Sequence, residues 1–311
     1  MIYRENDAFS KPLPVITFGG ASLSGEGGGY GFGPLSEKEA QNLILCAWER
    51  GISLFDTAPI YGFGLSEERL GRYLPQEAMV ISKSGVDWHD SKRVNMTNSR
   101  KVTEKMVLES LKRLNRESID IYMIHWPDSK VDIRVPLEVL KRSQDEGKIK
   151  HIGLCNTTPE DLYKAQDICR VDVLQSELNL FNQEAFLRIG EEWKKKLTMG
   201  WGTFDKGILT GRVSHDRKFS KEDCRSWAPW WNKKDVLLKI QRTEKLKEIL
   251  SDYNLSLQYF CIHYSIYYFG VSTCLVGFKS VEDIAQVTSS LQPILAREKI
   301  DQVLERWLHQ D

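Results

Sequence analysis

The 311 residues carry 43 Lys and Arg against 43 Asp and Glu, with 41% hydrophobic and 28% charged residues. That balance excludes a global field favouring nucleic acid or an acidic membrane, and it fits a soluble globular protein long enough for one large core. Six cysteines (Cys46, Cys155, Cys169, Cys224, Cys261, Cys274) are scattered with no CxxC pair, which fits a reducing compartment and argues against a disulfide frame or a thiolate metal site.

The stretch Met1-Ile-Tyr-Arg-Glu-Asn-Asp7 lacks a basic region followed by an apolar run. No secretory signal is therefore expected, and the cytoplasm is the default. Val15 to Gly20 reads as a first strand. Five glycines lie between Gly25 and Gly31, in a spacing that is neither GxGxxG nor a Walker loop. The segment from Gly25 to Gly33 is expected to be an adaptable active-site loop. Ser36 and Glu39 have capping-box spacing, and Ala40, Leu43, Ile44 and Ala47 give helix 36–50 an apolar face.

Strand 53–56 then breaks into the loop of Leu54-Phe-Asp-Thr-Ala-Pro-Ile-Tyr-Gly62. Asp56 and Tyr61 stand on that break. A short helix starts near Ser66, and Met79 to Lys83 forms a third strand. Helical periodicity follows from Val102 to Leu114. Ile119 to Pro127 is a fourth strand stopped by proline, and helix 136–146 ends at Gly147. His151 to Asn156 is a fifth strand, Pro159 opens the next helix, and Val173 to Asn179 is a sixth strand. Helix 183–195 precedes a seventh strand, Leu197 to Phe204. Helices 235–250 and 255–268 lead to the eighth, Ser272 to Gly277. Helices 281–290 and 295–308 finish the chain.

Tyr259 to Phe278 contains no Asp, Glu, Lys or Arg. Gly270 breaks it, and it holds His263, Ser265, Ser272 and Thr273, so it reads as a buried helix feeding a buried strand and not as a membrane span. Eight short, largely apolar strands alternating with helices fit a closed α/β (β/α)8 TIM barrel over a single domain, 1–311. The segment 208–231 is expected to be an active-site loop, and 291–311 a C-terminal tail. A doubly wound open sheet is the alternative, although the first unit lacks a dinucleotide fingerprint.

In a barrel the polar residues at strand C-terminal ends converge on one mouth. These are Asp56 and Tyr61 after strand two, Lys83 at strand three, His125 at strand four, Cys155 and Asn156 at strand five, and Gln175 in strand six. Singly, each has a structural explanation: a turn, a snorkelling lysine, a core histidine, a helix cap. Together they suit carbonyl reduction. Free tyrosine is a poor acid near neutrality, with a pKa of about 10, and a neighbouring ammonium lowers that value. A buried carboxylate holds the ammonium, and a neutral imidazole orients the carbonyl oxygen. None of these groups carries a hydride, so a nicotinamide cofactor is implied.

The chain resembles the aldo-keto reductases over nearly its whole length. The resemblance rests on Phe55-Asp-Thr-Ala-Pro-Ile-Tyr-Gly62 with Ser66-Glu-Glu-Arg-Leu-Gly71, Ser82-Lys83, and Ser110-Leu-Lys-Arg-Leu114 leading to Asp120-Ile-Tyr-Met-Ile-His-Trp-Pro127. Gly147-Lys-Ile-Lys-His-Ile-Gly153, Gln175-Ser-Glu-Leu-Asn179 and Gly207-Ile-Leu-Thr-Gly211 extend it. It implies a catalytic set of Asp56, Tyr61, Lys83 and His125, with Tyr61 as general acid in reduction and base in oxidation.

The resemblance also implies NADP(H) as cofactor, with NAD(H) open. Asn156 and Gln175 would hold the carboxamide, with Cys155 where the family usually has serine. Trp201 would stack on the nicotinamide. Gly202, Thr203 and Phe204 follow it, and Asp205-Lys-Gly207 is similar to the pyrophosphate loop. At the adenosine end, after Gly277, the chain departs from the family pattern with Lys279 where many relatives have arginine, then Asp283 and Val287. Lys279 can still meet a 2′-phosphate as a point charge, but Asp283 would repel it unless turned away or paired. Trp88, Trp126, Trp227 and Trp230 are candidates for the substrate wall, together with Trp231.

Expected partners are a small carbonyl or alcohol substrate, with no nucleic acid, membrane or metal, in a monomer or weak homo-oligomer. A sugar or polyol dehydrogenase using NAD, and a cofactor-binding regulatory subunit resembling potassium channel β subunits, are the alternative functions.

Overall fold

The computed structural model describes residues 1–25, 30–190 and 196–309. Eight parallel strands close into a barrel in chain order. They are β1 (Ile16–Gly19), β2 (Leu54–Asp56), β3 (Met79–Ser84), β4 (Ile119–Ile124), β5 (Ile149–Cys155), β6 (Val173–Glu177), β7 (Leu197–Trp201) and β8 (Thr273–Val276). Closure removes every sheet edge, so each strand is buried on both faces and reads as a short apolar run.

The helices are α1 (Glu37–Glu49), α2 (Leu65–Tyr73), α3 (Arg100–Leu114), α4 (Arg134–Asp145), α5 (Pro159–Ala165), α6 (Glu184–Ile189), α7 (Lys233–Ser251), α8 (Leu257–His263), α9 (Val281–Ser289) and α10 (Arg297–Leu308). The expected capping box opens α1: Glu39 N–H donates to Ser36 Oγ, and Ser36 N–H donates to Glu39 Oε2 at 2.7 Å. A second box, Thr158 with Asp161, opens α5 around Pro159.

Inside the barrel, Leu54, Ile81, Ile121, Met123, Val173, Leu197, Met199 and Leu275 pack with Phe9 and Leu13. The last two belong to an N-terminal hairpin, Tyr3–Arg4 against Leu13–Pro14, that the sequence reading missed because each strand is two residues long. The hairpin joins that core from residues preceding β1.

Several boundaries differ from expectation, among them strand four, which stops at Ile124 three residues before Pro127. Strand seven stops at Trp201 because Gly202 turns with φ 73°, and strand six stops at Glu177. Helix 183–195 is α6, which ends where Gly190 takes φ 62°; its remainder, 191–195, lies outside the described residues. Helix 255–268 is α8 followed by a π-helical turn, Tyr264–Tyr268. With β8, these elements account for the uncharged stretch, and among the described residues no helix is long and apolar enough to cross a membrane.

The π turn follows a buried imidazole, His263, the last residue of α8. His263 Nδ1 accepts from Leu295 N–H at 2.9 Å, Nε2 lies 3.3 Å from the Ser290 carbonyl, and Tyr259 stacks on the ring at 4.1 Å. Burial pushes its pKa down from 6.5 to about 4. The unfolded chain therefore takes up this proton first as pH falls. The stability tied to neutral His263 is complete above about pH 6.5 and is lost progressively toward pH 4. Between pH 7 and pH 5 this should remove roughly 2 kcal/mol. Urea unfolding of the wild type and His263→Gln at both pH values checks it; an equal acid loss in the two proteins would refute it.

Candidate active site

Strand register levels the polar ends. Asp56 pairs with Ile81, Lys83 with Met123, and Gln175 with both Cys155 and Met199. Asp56 and Lys83 are 2% and 0% exposed. Lys83 Nζ donates to Asp56 Oδ1 and Oδ2, each at 2.7 Å, and to the Thr57 carbonyl at 2.9 Å. Three acceptors account for all three ammonium protons, so the charge is tolerated without water. Burial is the largest single influence and opposes the charge, but Asp56, Tyr61 and Cys155 together outweigh it, and the Lys83 pKa lies above its ordinary value.

Tyr61 follows on a sharp loop. Its N–H donates to the Ala58 carbonyl, and Gly62, Phe63 and Gly64 then take φ of 66°, 54° and 100°. Gly62 is required here: a Cβ would lie 2.5 Å from the Ser24 carbonyl oxygen. The turn leaves the Tyr61 ring centroid 5.4 Å from Lys83 Nζ and 5.8 Å from the His125 ring, edge to face. Burial pushes the phenol up to about 12, against the opposing pull of Lys83. The expectation of a net lowering by Lys83 is thus corrected: its pull is present, but burial is larger. His125 lies well below its ordinary pKa, first from burial and then from the Lys83 charge, so its ring is neutral near pH 7.

Beside this group lies the expected carboxamide pair. Asn156 Oδ1 accepts from Trp201 Nε1 at 3.0 Å, and its Nδ2 donates to the His125 carbonyl at 3.1 Å. Gln175 is 2% exposed and donates to Asp56 Oδ2 at 2.9 Å. Cys155 is buried between them, which pushes its thiol up to about 12. Gly202 starts the turn after β7, and Thr203 donates its hydroxyl to the Leu275 carbonyl at 3.1 Å. Phe204 borders Asp205, Lys206 and Gly207, which take φ of 40°, 55° and 101°. Ion pairs hold these strained residues: Lys206 with Glu177 at 2.6 Å and Asp205 at 3.2 Å, and Asp205 with Lys239 at 2.7 Å.

The segment 208–231 has little regular structure, but one residue organises much of it. Arg225 pairs with both Asp223 oxygens at 2.9 and 2.6 Å, donates to the Lys206 carbonyl at 2.9 Å, and lies 4.1 Å from the Phe219 ring centroid. The segment also joins the glycine loop. Phe32 bridges Asp223, Cys224 N–H donates to the Gly31 carbonyl, and Tyr30 meets Trp227 at 5.6 Å. Residues 26–29 of the expected adaptable loop lie outside the described residues. Arg69 ties both flanks of that loop through the Leu23 and Leu35 carbonyls, each at 2.7 Å.

The candidate wall residues separate. Trp88 joins Tyr61, Tyr30 and Phe63 in one apolar cluster, carried on a hairpin, Val86–Trp88 with Val94–Met96, that the sequence did not reveal. Trp126 is adjacent to His125 and partly exposed. Trp227 and Trp230 are also exposed, and Trp230 shares the Lys206 ammonium with Trp201, each ring centroid 5.6 Å away. Trp231 instead packs on Phe219 and the loop core.

At the far end, Gly277 and Lys279 precede α9 and are exposed. Asp283 pairs with Arg212, 71 residues earlier, and Arg212 also donates to Gln286 at 3.2 Å. No local pattern marks Arg212, because its partner is distant in the chain.

The aldo/keto reductase family model matches residues 15–307, and the chain belongs to that family of oxidoreductases. It is similar to the aldo-keto reductase YhdN of Bacillus subtilis, at 29% identity over 90% of this chain and 88% of that one. The NADH-specific methylglyoxal reductase of Escherichia coli is 25% identical over 85% and 86%. Among solved structures, the glycerol dehydrogenase AKR11B4 from Gluconobacter oxydans superposes with a TM-score of 0.84 at 27% identity, covering 99% of this chain and 97% of that one.

Proposed function

We propose that this protein is an NADP(H)-dependent reductase of an aldehyde, ketone or sugar carbonyl, in which Tyr61 exchanges the proton with the carbonyl oxygen. The observation that carries the reading is the buried Asp56–Lys83 pair beneath a protonated Tyr61, with a neutral His125 ring at its edge. When bound, the nicotinamide supplies or accepts the hydride.

The chain's own residues do the rest. Tyr61, protonated at neutral pH, gives its proton to the oxygen as negative charge develops there. The Lys83 ammonium, fixed by three acceptors, stabilises the phenolate left behind. His125 directs a neutral N–H toward the same oxygen without adding a competing acid. Trp88, which clusters with Tyr61, and the exposed Trp126, Trp227 and Trp230 are the proposed substrate wall.

The residues suit a nicotinamide dinucleotide. Trp201 offers a half-exposed ring and Asn156 a half-exposed amide. Lys279 and the N-terminus of α9 offer positive charge for a phosphate. NADP(H) is preferred over NAD(H) because Asp283, which would repel a 2′-phosphate, is paired with Arg212. The relative named as NADH-specific makes this preference worth testing directly.

Aldoses, aromatic aldehydes and keto compounds assayed with both cofactors in both directions test the function. Arg212→Ala should weaken NADPH binding roughly 3–10-fold and leave NADH nearly unchanged, since the exposed pair is partly screened. A wild-type preference for NADH of about tenfold or more would overturn the NADPH assignment.

A further inference from the structure

A continuous hydrogen-bond chain crosses the floor of the mouth. It starts at Trp201 Nε1, which donates to Asn156 Oδ1 at 3.0 Å, and continues from Asn156 Nδ2 to the Cys155 sulfur at 3.2 Å. The Cys155 thiol donates to Gln175 Oε1 at 3.2 Å. Gln175 Nε2 then donates to Asp56 Oδ2 at 2.9 Å, the same oxygen that accepts from Lys83 Nζ at 2.7 Å. Cys155, Gln175, Asp56 and Lys83 are all buried, so an unmade bond here would leave a polar atom without compensation.

The direction of this chain is determined by chemistry. An amide has one accepting end and one donating end. The thiol proton engages Oε1, which leaves Nε2 for the carboxylate. Reversing the amide would set its oxygen against an Asp56 oxygen, lone pair to lone pair, and waste the thiol donor. Asp56 is thereby held by Lys83 on one side and Gln175 on the other, and it cannot rotate without losing one of them.

We infer that Gln175 is a positioning residue for the Asp56–Lys83 pair, its amide oriented by the Cys155 thiol. This inference rests on the reading of that pair as part of the catalytic set, and it gives Gln175 a task separate from holding a cofactor carboxamide. The two tasks differ in what they move. A ligand role changes cofactor affinity; a positioning role changes turnover at saturating cofactor.

Four full-length variants separate the roles: Gln175→Met, Gln175→Glu, Cys155→Ser and Cys155→Ala. Gln175→Met should lower kcat about 10- to 100-fold at saturating cofactor, as expected when a catalytic group is displaced. Cys155→Ser keeps a donor and an acceptor and should lose clearly less kcat than Cys155→Ala, which makes neither bond and should follow Gln175→Met. Gln175→Glu donates to Asp56 only while protonated, so its kcat should fall with rising pH through that carboxyl's titration, on top of the wild-type profile. The titratable groups facing it are Asp56 on β2, Tyr61 on the following loop, Lys83 on β3, His125 on β4 and Cys155 on β5.

An unfolding cycle without substrate supplies the independent readout. The destabilisation caused by Gln175→Met should largely vanish when Asp56→Leu and Lys83→Met are already present. Additive losses in that cycle, or an unchanged kcat with only weaker cofactor binding, would overturn the inference. Wild-type turnover in Tyr61→Phe would instead overturn the catalytic reading, and the unfolding cycle would still decide whether Gln175 holds the pair.

Discussion

Lys83→Met is expected to abolish most turnover and to destabilise the protein in the same step. The change leaves the Asp56 carboxylate 2% exposed and without its counter-charge. Breaking a buried pair from one side costs about 3–5 kcal/mol. The lost ammonium also removes the charge that stabilises the Tyr61 phenolate, for which an expected drop of about 10²–10³-fold in kcat is reasonable. The two effects separate in the double variant Asp56→Leu, Lys83→Met. Replacing both partners by apolar groups should recover much of the stability, because no uncompensated charge remains, yet turnover should stay low. Urea midpoints and kcat measured on all three variants check this; restored turnover in the double variant would show that the pair serves only the fold.

Tyr61→Phe is expected to cut kcat by about 10²–10⁴-fold, the range for loss of a positioned general acid. The fold should survive, since the ring remains in its cluster with Tyr30, Phe63 and Trp88. The same phenol sets the pH course. With its pKa pushed up to about 12, Tyr61 stays protonated through neutral and mildly alkaline pH. Reduction, which uses the protonated form, should show no loss from this group between pH 7 and pH 9. Oxidation uses the deprotonated form and should rise about tenfold per pH unit over the same range, provided the proton step limits the rate.

The barrel was legible because both faces of each strand are covered, so eight apolar runs stand out between helices. The convergence of Asp56, Lys83 and His125 was legible for a related reason: each ends or follows a strand at the same end, and strand order then makes neighbours of distant residues. Tyr61 was legible through the family motif, but the direction of its net pKa shift was not. That direction depends on whether burial or the Lys83 charge is larger, and a sequence does not give burial atom by atom.

Other parts left no pattern. Arg225 orders the segment 208–231 through Asp223, a backbone carbonyl and aromatic rings, contacts with no periodicity. The hairpin bearing Trp88 has three-residue strands around a charged tip, too short for an alternation signal. Gln175 and Asp56 are 119 residues apart, so their bond exists only once β2 and β6 face one another across the barrel. Asp283 raised a conflict in the sequence that Arg212 resolves in space.

On the proposed mechanism Tyr61 moves the proton, and a nicotinamide cofactor would supply or accept the hydride. NADPH affinity and carbonyl turnover, measured on one preparation each of the wild type and Tyr61→Phe, decide between this mechanism and a structural role for the phenol. The expected result is a turning-over wild type and a variant with similar NADPH affinity whose kcat is lower by orders of magnitude. Equal turnover in the two proteins would contradict it.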